Sequence, residues 1–535
     1  MANDGMDWVP RGVAPASLKD GPAAVVTAPA QPPKAAAPVA AKPAAPAVAK
    51  AAPAPAADKA KPDDKKPLPP IPNRPITGAD LKDWLKEAID RQRQNDVAGG
   101  IALMHRVLNY KPDDAMTWMN LGVLYRREKN PDMSLACYER AKEIQPNNGG
   151  LWGNIGNAYK DLEQYDLAIA AHRKAVEIEP KTIGLWHNYA LCLTEAGKPE
   201  QAMPLFDQIL KQQNDHIDAH WDRAMTALRL GDFSDRTWQD YDWRWRLQEL
   251  ANYRAPTTAP LWRGEKLNGR TLMVYSEQGF GDTLFALRYL PKLRGLDGKV
   301  ILRCQPDLMR LVGKVADFCE LASARAATPP HDVALPIMSL IGMFTRSMSD
   351  IPPPPDLTIP EGAGAKALPR LAIAGKKLKV GIIWSGSVTF RGNARRAVTL
   401  ERFLRFARIP GVQLFSLQKG PPFEEYKKLA PHPLIVDLGS HFSDFADTAA
   451  VLKQLDLVVM TDSSVAHLAG SLGVPIWDML NFSCYWIFFM NREDSPWYPS
   501  MRLIRQKTPG DWDDVFDRVA GDLEKLAASR MSTKA

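Results

Sequence analysis

Tryptophan recurs at a fixed interval in the first half of this chain, and that interval restricts the possible folds more than any other feature. The spacing is 34 residues throughout the series Trp84, Trp118, Trp152 and Trp186. Prolines follow with the same period at Pro112, Pro146 and Pro180. This period is typical of stacked helical hairpins, each of which buries its apolar face only against the next. We therefore predict an α-solenoid over roughly residues 81–231.

The residues between these tryptophans follow a recognisable consensus. In the second repeat they are Trp118, Leu121, Gly122, Tyr125, Tyr138, Ala141 and Pro146. In the third they are Trp152, Ile155, Gly156, Tyr159, Ala168, Ala175 and Pro180. This pattern resembles the tetratricopeptide repeat, in which a small residue lets paired helices approach and a proline ends the second helix. The fourth repeat is degenerate, with Ala190 and Asn214 at those two positions, and a fifth over residues 217–243 keeps only traces.

Residues 1–75 differ sharply in composition from the repeats. They are rich in Ala, Pro and Lys, and they hold many of the 45 prolines of the chain. Prolines at this density prevent a helix and alanines cannot build a core, so we predict a disordered, partly polyproline-II arm. A tether and an inert tail both fit this composition.

Charge and cysteine usage exclude several classes of protein. The arm has ten basic and six acidic side chains, so it carries four of the seven net positive charges of the chain. The small remaining excess argues against a nucleic-acid-binding surface. The five cysteines lack metal-ligand spacing, which indicates reduced thiols in a cytosolic protein. Without a run of 18 apolar residues or a secretory h-region, we expect a cytoplasmic protein with no integral membrane association.

Beyond the repeats, strands and helices alternate, which predicts two Rossmann-like α/β halves. An aromatic segment, residues 232–250, is expected to form one helix that closes a solenoid domain of residues 78–250. The halves are assigned to residues 256–355 and 370–535, separated by a Pro-rich break. Predicted strands cover residues 271–275, 299–303, 334–336, 379–384, 412–417, 434–436, 457–460 and 474–477. An amphipathic helix is predicted over residues 511–527.

The stretch LDLVVMTDSSVAHLAGSLGVPIW, residues 455–477, gives the clearest prediction of a binding site. A buried strand, a polar turn and a helix form half of a parallel βαβ unit, and open α/β sheets bind ligands at such turns. The helix N-terminus suits a phosphate. The polar groups at this turn are Asp462, Ser463, Ser464 and His467. The turn also admits a purely structural interpretation, in which Asp462 or Ser464 caps the helix and His467 is a half-buried histidine.

Five motifs in residues 232–506 carry a more specific resemblance. They are SEQGFGDTLFALRYLP, VGIIWSGS followed by Arg391, Arg395 and Arg396, FSLQKG, DFADTAAVLKQLDLVVMTDSSVAHLAGSLGVPIW and REDSPWYPSMRLIRQ. Together they resemble glycosyltransferase family 9, the heptosyltransferase family, fused to tetratricopeptide repeats. The resemblance implies a GT-B fold of two Rossmann-like domains, with the acceptor at the first half and a nucleotide sugar at the second.

The resemblance also implies a catalytic residue. A Gly-Asp pair follows the first strand of these enzymes, and Gly281 and Asp282 match it. Asp282 would act as the general base that takes the proton of an acceptor hydroxyl. Gly279 and Gly281 would form the turn. A structural alternative is that Asp282 only caps its helix.

Further residues are implied at the donor side. Arg396 is the first candidate for a phosphate contact, within a loop that also contains Arg391. Gln418 and Lys419 are candidates for the base or ribose, Thr448 lies near the expected base pocket, and Asp462 and His467 match residues beside the sugar and phosphates. No metal or other cofactor is expected, because helix N–H groups at residues 463–465 and basic side chains can stabilise the leaving phosphate.

The function expected from these features is glycosyl transfer to a protein held by the repeats. Flagellin is the favoured acceptor, because the layout of this chain resembles that of fused proteins that are flagellin glycosyltransferases and use nonulosonic acids. Two alternatives remain open: a non-catalytic scaffold with an inactive transferase domain, and a lipopolysaccharide-type transferase. The repeats could also serve as a dimer interface or a spacer.

Overall fold

The computed structural model describes residues 67–248, 250, 254–390 and 392–533. The arm predicted for residues 1–75 therefore lies outside the described residues up to residue 66. None of the described helices has the length and apolar character needed to cross a membrane. The predicted α-solenoid followed by two parallel-sheet α/β halves is confirmed.

The solenoid consists of antiparallel helix pairs, one pair for each repeat. The pairs are α1 (Gly78–Arg93) with α2 (Val97–Tyr110), α3 (Ala115–Arg127) with α4 (Pro131–Ile144), α5 (Gly149–Asp161) with α6 (Tyr165–Ile178), α7 (Ile183–Glu195) with α8 (Pro199–Gln212), and α9 (Ile217–Arg229) with α10 (Asp235–Tyr241). The fifth repeat, traces of which remain in the sequence, thus still forms a helical hairpin.

The common period of tryptophan and proline has a direct structural cause. The indole Nε1 of Trp118 donates a hydrogen bond to the carbonyl of Pro112, six residues earlier, at 2.8 Å. Trp152 and Trp186 repeat this bond to their own prolines. In the fifth repeat His220 replaces the tryptophan, and its Nε2 donates to the carbonyl of Asn214, the residue at the proline position of the fourth repeat, at 2.9 Å. The bond therefore ties each first helix to the chain that precedes it.

Close helix pairing explains the small residues of the consensus. A Cβ atom on Gly122 would lie 2.4 Å from the ring of Tyr138 in the partner helix. A Cβ on Gly156 would meet the ring of His172 at 2.7 Å. The glycines are thus required because a large ring from the second helix covers them.

Each first helix ends in the same left-handed turn. The residues with positive φ are 34 apart and are Asn95, Lys129, Glu163, Gly197 and Gly231. In the third repeat Glu163 N–H donates to the carbonyl of Lys160, and Gln164 N–H donates to that of Tyr159. This is a Schellman motif, which satisfies the last carbonyls of the helix. First helices of successive repeats also pack on one another, so they line the inner side of the solenoid.

The first α/β half has a four-stranded parallel sheet. Its elements are β1 (Thr271–Tyr275), α11 (Phe280–Ala286), β2 (Lys299–Cys304), β3 (Glu320–Ser323), β4 (Val333–Pro336) and α12 (Ser339–Phe344). The strand order is β3-β2-β1-β4, with every pair parallel. The sequence prediction missed β3, because this edge strand is half exposed and lacks a continuous apolar run.

The second half has a six-stranded parallel sheet. Its elements are β5 (Leu378–Ile383), α13 (Asn393–Arg396), α14 (Leu400–Ala407), β6 (Val412–Ser416), α15 (Phe423–Leu429), β7 (Ile435–Asp437), α16 (Phe445–Leu452), β8 (Leu457–Thr461), α17 (Ser464–Ser471), β9 (Ile476–Leu480), β10 (Met501–Arg505) and α18 (Trp512–Thr533). The strand order is β10-β9-β8-β5-β6-β7. Short 3-10 helices cover Asp242–Arg246, Leu287–Leu293, Pro306–Leu308, Met348–Asp350, Leu368–Ala374, Gly439–His441 and Trp486–Phe488.

The segment that closes the solenoid differs from the single helix predicted over residues 232–250. It begins as α10 and continues as the 3-10 helix Asp242–Arg246. Trp238 is buried there, and its indole donates to the carbonyl of Thr345 in the first α/β half at 2.8 Å. The tighter turn brings Arg244, which is fully buried, into the same half. Packing against the α/β region therefore determines the shape of this segment.

Candidate functional site

The candidate site lies where both sheets reverse their strand order. In the first sheet the chain runs from β1 through β2 to β3 and then returns to place β4 on the other side of β1. In the second sheet β8 follows β7 in sequence but pairs with β5. Open α/β sheets bind ligands at the carboxyl ends of strands at such switch points. Asp282 follows β1, whereas Asp462 follows β8.

The two turns face each other across the joint between the halves. Helices α11 and α17, which begin at these turns, pack together. A Cβ on Gly281 would lie 2.9 Å from Cδ2 of His467 and 3.4 Å from Cα of Ser464. On the neighbouring side, the rings of Phe280 and Phe445 lie 4.9 Å apart. The absence of a side chain at Gly281 thus permits the close approach of the two helices.

Asp282 has the electrostatics of a group that can exchange a proton near neutral pH. Its half-buried carboxylate accepts a hydrogen bond from Gly279 N–H at 2.9 Å, as in a capping box. Burial, together with the nearby carboxylates of Glu277 and Asp462, raises the pKa of Asp282 to about 7, although the bond from Gly279 opposes the shift. The structure therefore shows a helix-capping contact and a perturbed carboxyl in the same residue.

A buried ion pair supports the turn that holds Asp282. The Arg244 guanidinium donates from Nε and Nη2 to the two carboxylate oxygens of Glu277, each at 3.2 Å. Their side chains are 0% and 1% exposed. Glu277 also accepts from Met338 N–H, which follows β4, and Arg244 also donates to Ser339. This network links the turns that follow β1 and β4 to the closing segment of the solenoid.

At the second switch point Asp462 is paired with a cation. Nη1 of Arg396 donates to its carboxylate at 2.8 Å, and both side chains are largely buried. The structural alternative expected Asp462 or Ser464 to cap the helix, but the N-cap residue of α17 is Ser463, no side-chain capping bond is present there, and the Asp462 carboxylate accepts from Arg396 instead. Within the described residues, the hydroxyls of Ser463 and Ser464 have no hydrogen-bond partner.

His467 is buried at the joint and neutral at pH 7. Its Nδ1 lies 3.1 Å from the hydroxyl of Tyr498, and its ring packs edge-on against Phe285. Burial lowers the pKa of His467 to about 4, and the cations Arg288 and Arg396 add to this effect against the opposing charge of Asp462. A neutral imidazole that faces Gly281 therefore borders the site.

Other predicted donor-side residues are held by the protein itself. Oε1 of Gln418 accepts from Trp384 N–H and Ser385 N–H, while Nε2 donates to the carbonyls of Ser385 and Lys419. A primary amide has no further strong donor or acceptor, so Gln418 joins the ends of β5 and β6 and has no free group for a ligand.

Lys419 and Thr448 also bond within the protein, and one predicted residue cannot be placed. Nζ of Lys419 donates to the carbonyl of Phe442 at 2.7 Å. Thr448 is buried, and its hydroxyl donates to the carbonyl of Asp444 at 3.3 Å. Arg391 lies outside the described residues. Of the predicted donor residues, the structure thus brings Arg396, Asp462, Ser463, Ser464 and His467 into one turn region.

Sequence reasoning missed a buried carboxyl next to this region. Asp478 lies on β9 beside Met460 of β8, and it is 0% exposed. Neither carboxyl oxygen has a hydrogen-bond partner among the described residues. Burial and the charge of Asp462 raise the pKa of Asp478 well above its usual value, with Arg396 opposing. A lone acidic residue inside an apolar strand was the available signal. No cluster of His, Cys, Asp and Glu side chains in the described chain is suited to a metal ion.

A second missed feature is a row of asparagines on the inner side of the solenoid. Asn120, Asn154 and Asn188 lie on α3, α5 and α7 at the 34-residue period, each two residues after a repeat tryptophan. All three are half-exposed, and their amides have no hydrogen-bond partner among the described residues. Amide groups at a regular interval can bond to the main chain of an extended peptide. The shared period was the signal that could have found them.

Comparison with known families identifies the class of the solenoid. Two models of the tetratricopeptide repeat match residues 115–148 and 160–234. The chain therefore contains tetratricopeptide repeats. The crystal structure of MamA, 15% identical, aligns with 34% of this chain and 100% of its own at a TM-score of 0.28. YrrB, described as a repeat protein with an unusual peptide-binding site, is 20% identical over 31% of this chain and 85% of its own, at a TM-score of 0.26.

A curated relative extends the similarity beyond the repeats. Protein FlbA of Caulobacter vibrioides is 29% identical over 336 residues, which cover 57% of this chain and 55% of FlbA. The chain thus spans about half the length of the relative that it matches.

Proposed function

We propose that this chain is a glycosyltransferase that moves a sugar from a nucleotide-sugar donor to a hydroxyl of a protein held by its repeats. The observation that carries the proposal is the convergence of two βα turns, one from each parallel sheet, with Asp282 on one and the Arg396–Asp462 pair on the other. Acid–base catalysis and phosphate binding are the two chemical tasks of such a reaction, and the two turns offer one group for each.

Asp282 serves as the general base in this proposal. The acceptor oxygen attacks the anomeric carbon, the bond from that carbon to the phosphate oxygen breaks, and the hydroxyl proton passes to the Asp282 carboxylate. A base is most effective when its pKa is close to the working pH. Because burial and neighbouring carboxylates raise the pKa of Asp282 to about 7, this carboxylate is far more basic than an ordinary aspartate.

The leaving phosphate is assigned to the turn after β8. Helix α17 begins there with Ser463 and Ser464, whose N–H groups and hydroxyls can donate to phosphate oxygens. Arg396 is already charge-paired with Asp462, and the same guanidinium can bind a phosphate. The implied donor contacts of Gln418 are not part of the proposal, because its amide is fully used within the protein.

The acceptor is assigned to the inner side of the solenoid. The unpartnered amides of Asn120, Asn154 and Asn188 support binding of an extended peptide segment. Flagellin is the acceptor that we would test first, on the basis of the sequence resemblance described above. The same asparagine row also fits a non-catalytic scaffold, so nucleotide binding is what separates the two functions.

The first test is a thermal shift of the full chain against UDP, GDP, ADP, TDP and CMP. A nucleotide at about a hundred times its dissociation constant should stabilise the protein by about 2.7 kcal/mol. An Asp462→Ala, His467→Ala variant should lose the response. A response to CMP would indicate a nonulosonic acid donor. If no nucleotide stabilises the wild-type chain, the transferase proposal fails and the scaffold takes its place.

The second test is the pH dependence of transfer. Since only the ionised carboxylate accepts a proton, kcat/KM should rise with pH and level off above about 7. Asp282→Asn should lower kcat by about 10²- to 10⁴-fold and remove this dependence. Asp350→Asn is the matched control, because Asp350 also accepts a capping-box bond, from Ser347 N–H, but lies on an exposed 3-10 turn. Equal rates in wild type and Asp282→Asn would exclude Asp282 as the base.

A further inference from the structure

Two adjacent arginines on α13 form ion pairs with different parts of the protein. Arg396 donates to Asp462 in the candidate site at 2.8 Å. Arg395 instead reaches the solenoid, where its Nη1 donates to the carboxylate of Glu195 at 2.6 Å. Its Nε lies 3.9 Å from the carboxylate of Glu163. One helical turn of four residues thus connects the repeats with the phosphate-binding side of the site.

On the solenoid side, the carboxylate that binds Arg395 has a second cationic partner. Glu195 is the last residue of α7, and its carboxylate also accepts from Nζ of Lys160 on α5 at 2.9 Å. Although burial opposes it, the charges of Lys160 and Arg395 lower the pKa of Glu195 to about 2. Glu195 is therefore ionised throughout the neutral pH range. The carboxylates raise the pKa of Arg395, so this cation is permanent as well.

Within its own half, α13 is anchored by Asn393 and by the backbone that follows the turn. Asn393 accepts from Gly386 N–H and donates to the hydroxyl of Ser385, which fixes the beginning of the turn. At the end of the turn the backbone is held by Ala397 N–H, which donates to the carbonyl of Asn393, and by Val398 N–H, which donates to that of Trp384, whereas the two guanidinium groups are directed by their ion pairs. Because the two residues are consecutive, any rotation of the turn that breaks one ion pair also displaces the other guanidinium.

We propose that Arg395 is a positioning residue through which the solenoid sets the place of Arg396. The nucleotide-sugar site is then composite: the α/β half supplies Asp462 and Arg396, and two consecutive repeats supply Glu163 and Glu195. This inference rests on the proposed function, since it assigns Arg396 to a phosphate. It implies that the repeats contribute to donor binding as well as to acceptor binding.

The test measures the affinity of full-length variants for the nucleotide that stabilises the wild-type chain, by calorimetric titration. Glu195→Gln and Arg395→Gln should each weaken binding by about tenfold, because each removes a charge-assisted hydrogen bond that orients the turn. The double variant should be no weaker than either single variant, since both act through one pair. In transfer assays the donor KM should rise while kcat stays close to that of wild type.

Two further variants separate positioning from a general loss of structure. Asp161→Asn removes the equivalent ion pair one repeat earlier, between Arg126 and Asp161, and should leave nucleotide affinity unchanged. Arg395→Lys keeps the charge and should restore part of the affinity lost in Arg395→Gln. If the wild type binds a nucleotide and Glu195→Gln binds it equally well, the composite site is overturned while the transferase proposal stands. If the wild type binds none, the transferase proposal itself fails.

Discussion

The solenoid meets the α/β region at two junctions that differ in chemistry. At the closing junction, Phe233 and Trp238 pack with Trp486 and Trp497 in the main core, and Arg244 is fully buried. At the repeat-turn junction the contacts are ion pairs of Glu163 and Glu195 with Arg395, a stacked pair of Tyr165 and Phe482, and a bond from Arg229 to Ser483. One junction is an extension of the core, while the other is held mainly by ion pairs and a hydrogen bond whose side chains keep partial exposure to solvent.

This difference predicts that the closing junction determines the stability of the protein, whereas the repeat-turn junction affects ligand affinity. Apolar burial and a desolvated ion pair are lost together, so the closing junction should hold or fail as a unit. Half-exposed ion pairs contribute little to stability, but they fix the direction of a guanidinium. We therefore expect changes at the closing junction to unfold the protein, and changes at the repeat-turn junction to alter ligand affinity first.

The largest effect is expected for Arg244→Ala, which should cost about 3–5 kcal/mol because it leaves Glu277 charged and buried. Arg246→Ala is the matched control on the same 3-10 helix. Among the described residues, the contact of the Arg246 side chain is stacking on the ring of Trp243, at 4.1 Å, so its loss should cost about 0.5–1 kcal/mol. Denaturant unfolding followed by circular dichroism measures both. If both variants lost the same unfolding free energy, the predicted contrast between the two junctions would be wrong, because the closing junction would not depend on the buried charge of Arg244.

A smaller cost is expected for Gly342→Ala on α12. A Cβ there would lie 3.1 Å from the ring of Trp238, which is fixed by its bond to Thr345. Overpacking typically costs about 1–3 kcal/mol and outweighs the better helix propensity of alanine, so a net loss of about 1–2 kcal/mol follows.

Gly184→Ala provides the opposite case on α7. A Cβ on Gly184 has no atom within 4 Å, so only helix propensity acts and the variant should gain up to about 1 kcal/mol. The same unfolding experiment applies to both glycines. If Gly342→Ala were also stabilising, the closing junction would be looser than a packed core.

The solenoid was predictable because its information is local and repeated. Trp118 and Pro112 are linked by a hydrogen bond within six residues, and the link recurs with the repeat. The left-handed turn was not predicted although it has the same period. Asn95, Gly197 and Gly231 are residue types that favour this conformation, while Lys129 and Glu163 adopt positive φ under the control of the Schellman bonds.

The site was predictable as far as strands and turns define it. Asp462 and His467 were predicted because they follow an apolar strand that local pattern reveals, whereas Asp282 was predicted from the family resemblance. Contacts between distant segments gave no such signal. The amide of Gln418 bonds to Ser385, 33 residues earlier in the chain, and the pair of Arg395 with Glu195 spans 200 residues. Periodicity and motif spacing do not encode these contacts.

The smallest effects concern the strained turns of the repeats. Lys129 is exposed with a φ of 58°, which costs about 1–2 kcal/mol for a residue with a Cβ. Glycine removes this strain but has a more flexible unfolded state, so Lys129→Gly should stabilise the protein by about 0.5–1 kcal/mol. Thermal or denaturant unfolding checks this gain.

Glu163→Gly removes the same strain at a φ of 57°, but it also removes the carboxylate beside Arg395. A half-exposed ion pair contributes about 0.2–1 kcal/mol, so the gain seen in Lys129→Gly should be reduced or absent. A full gain of stability in Glu163→Gly would mean that Glu163 adds nothing to the repeat-turn junction. In that case Glu195 alone would hold Arg395. The backbone strain at Glu163 would then not be offset by any stabilising contact at the repeat-turn junction.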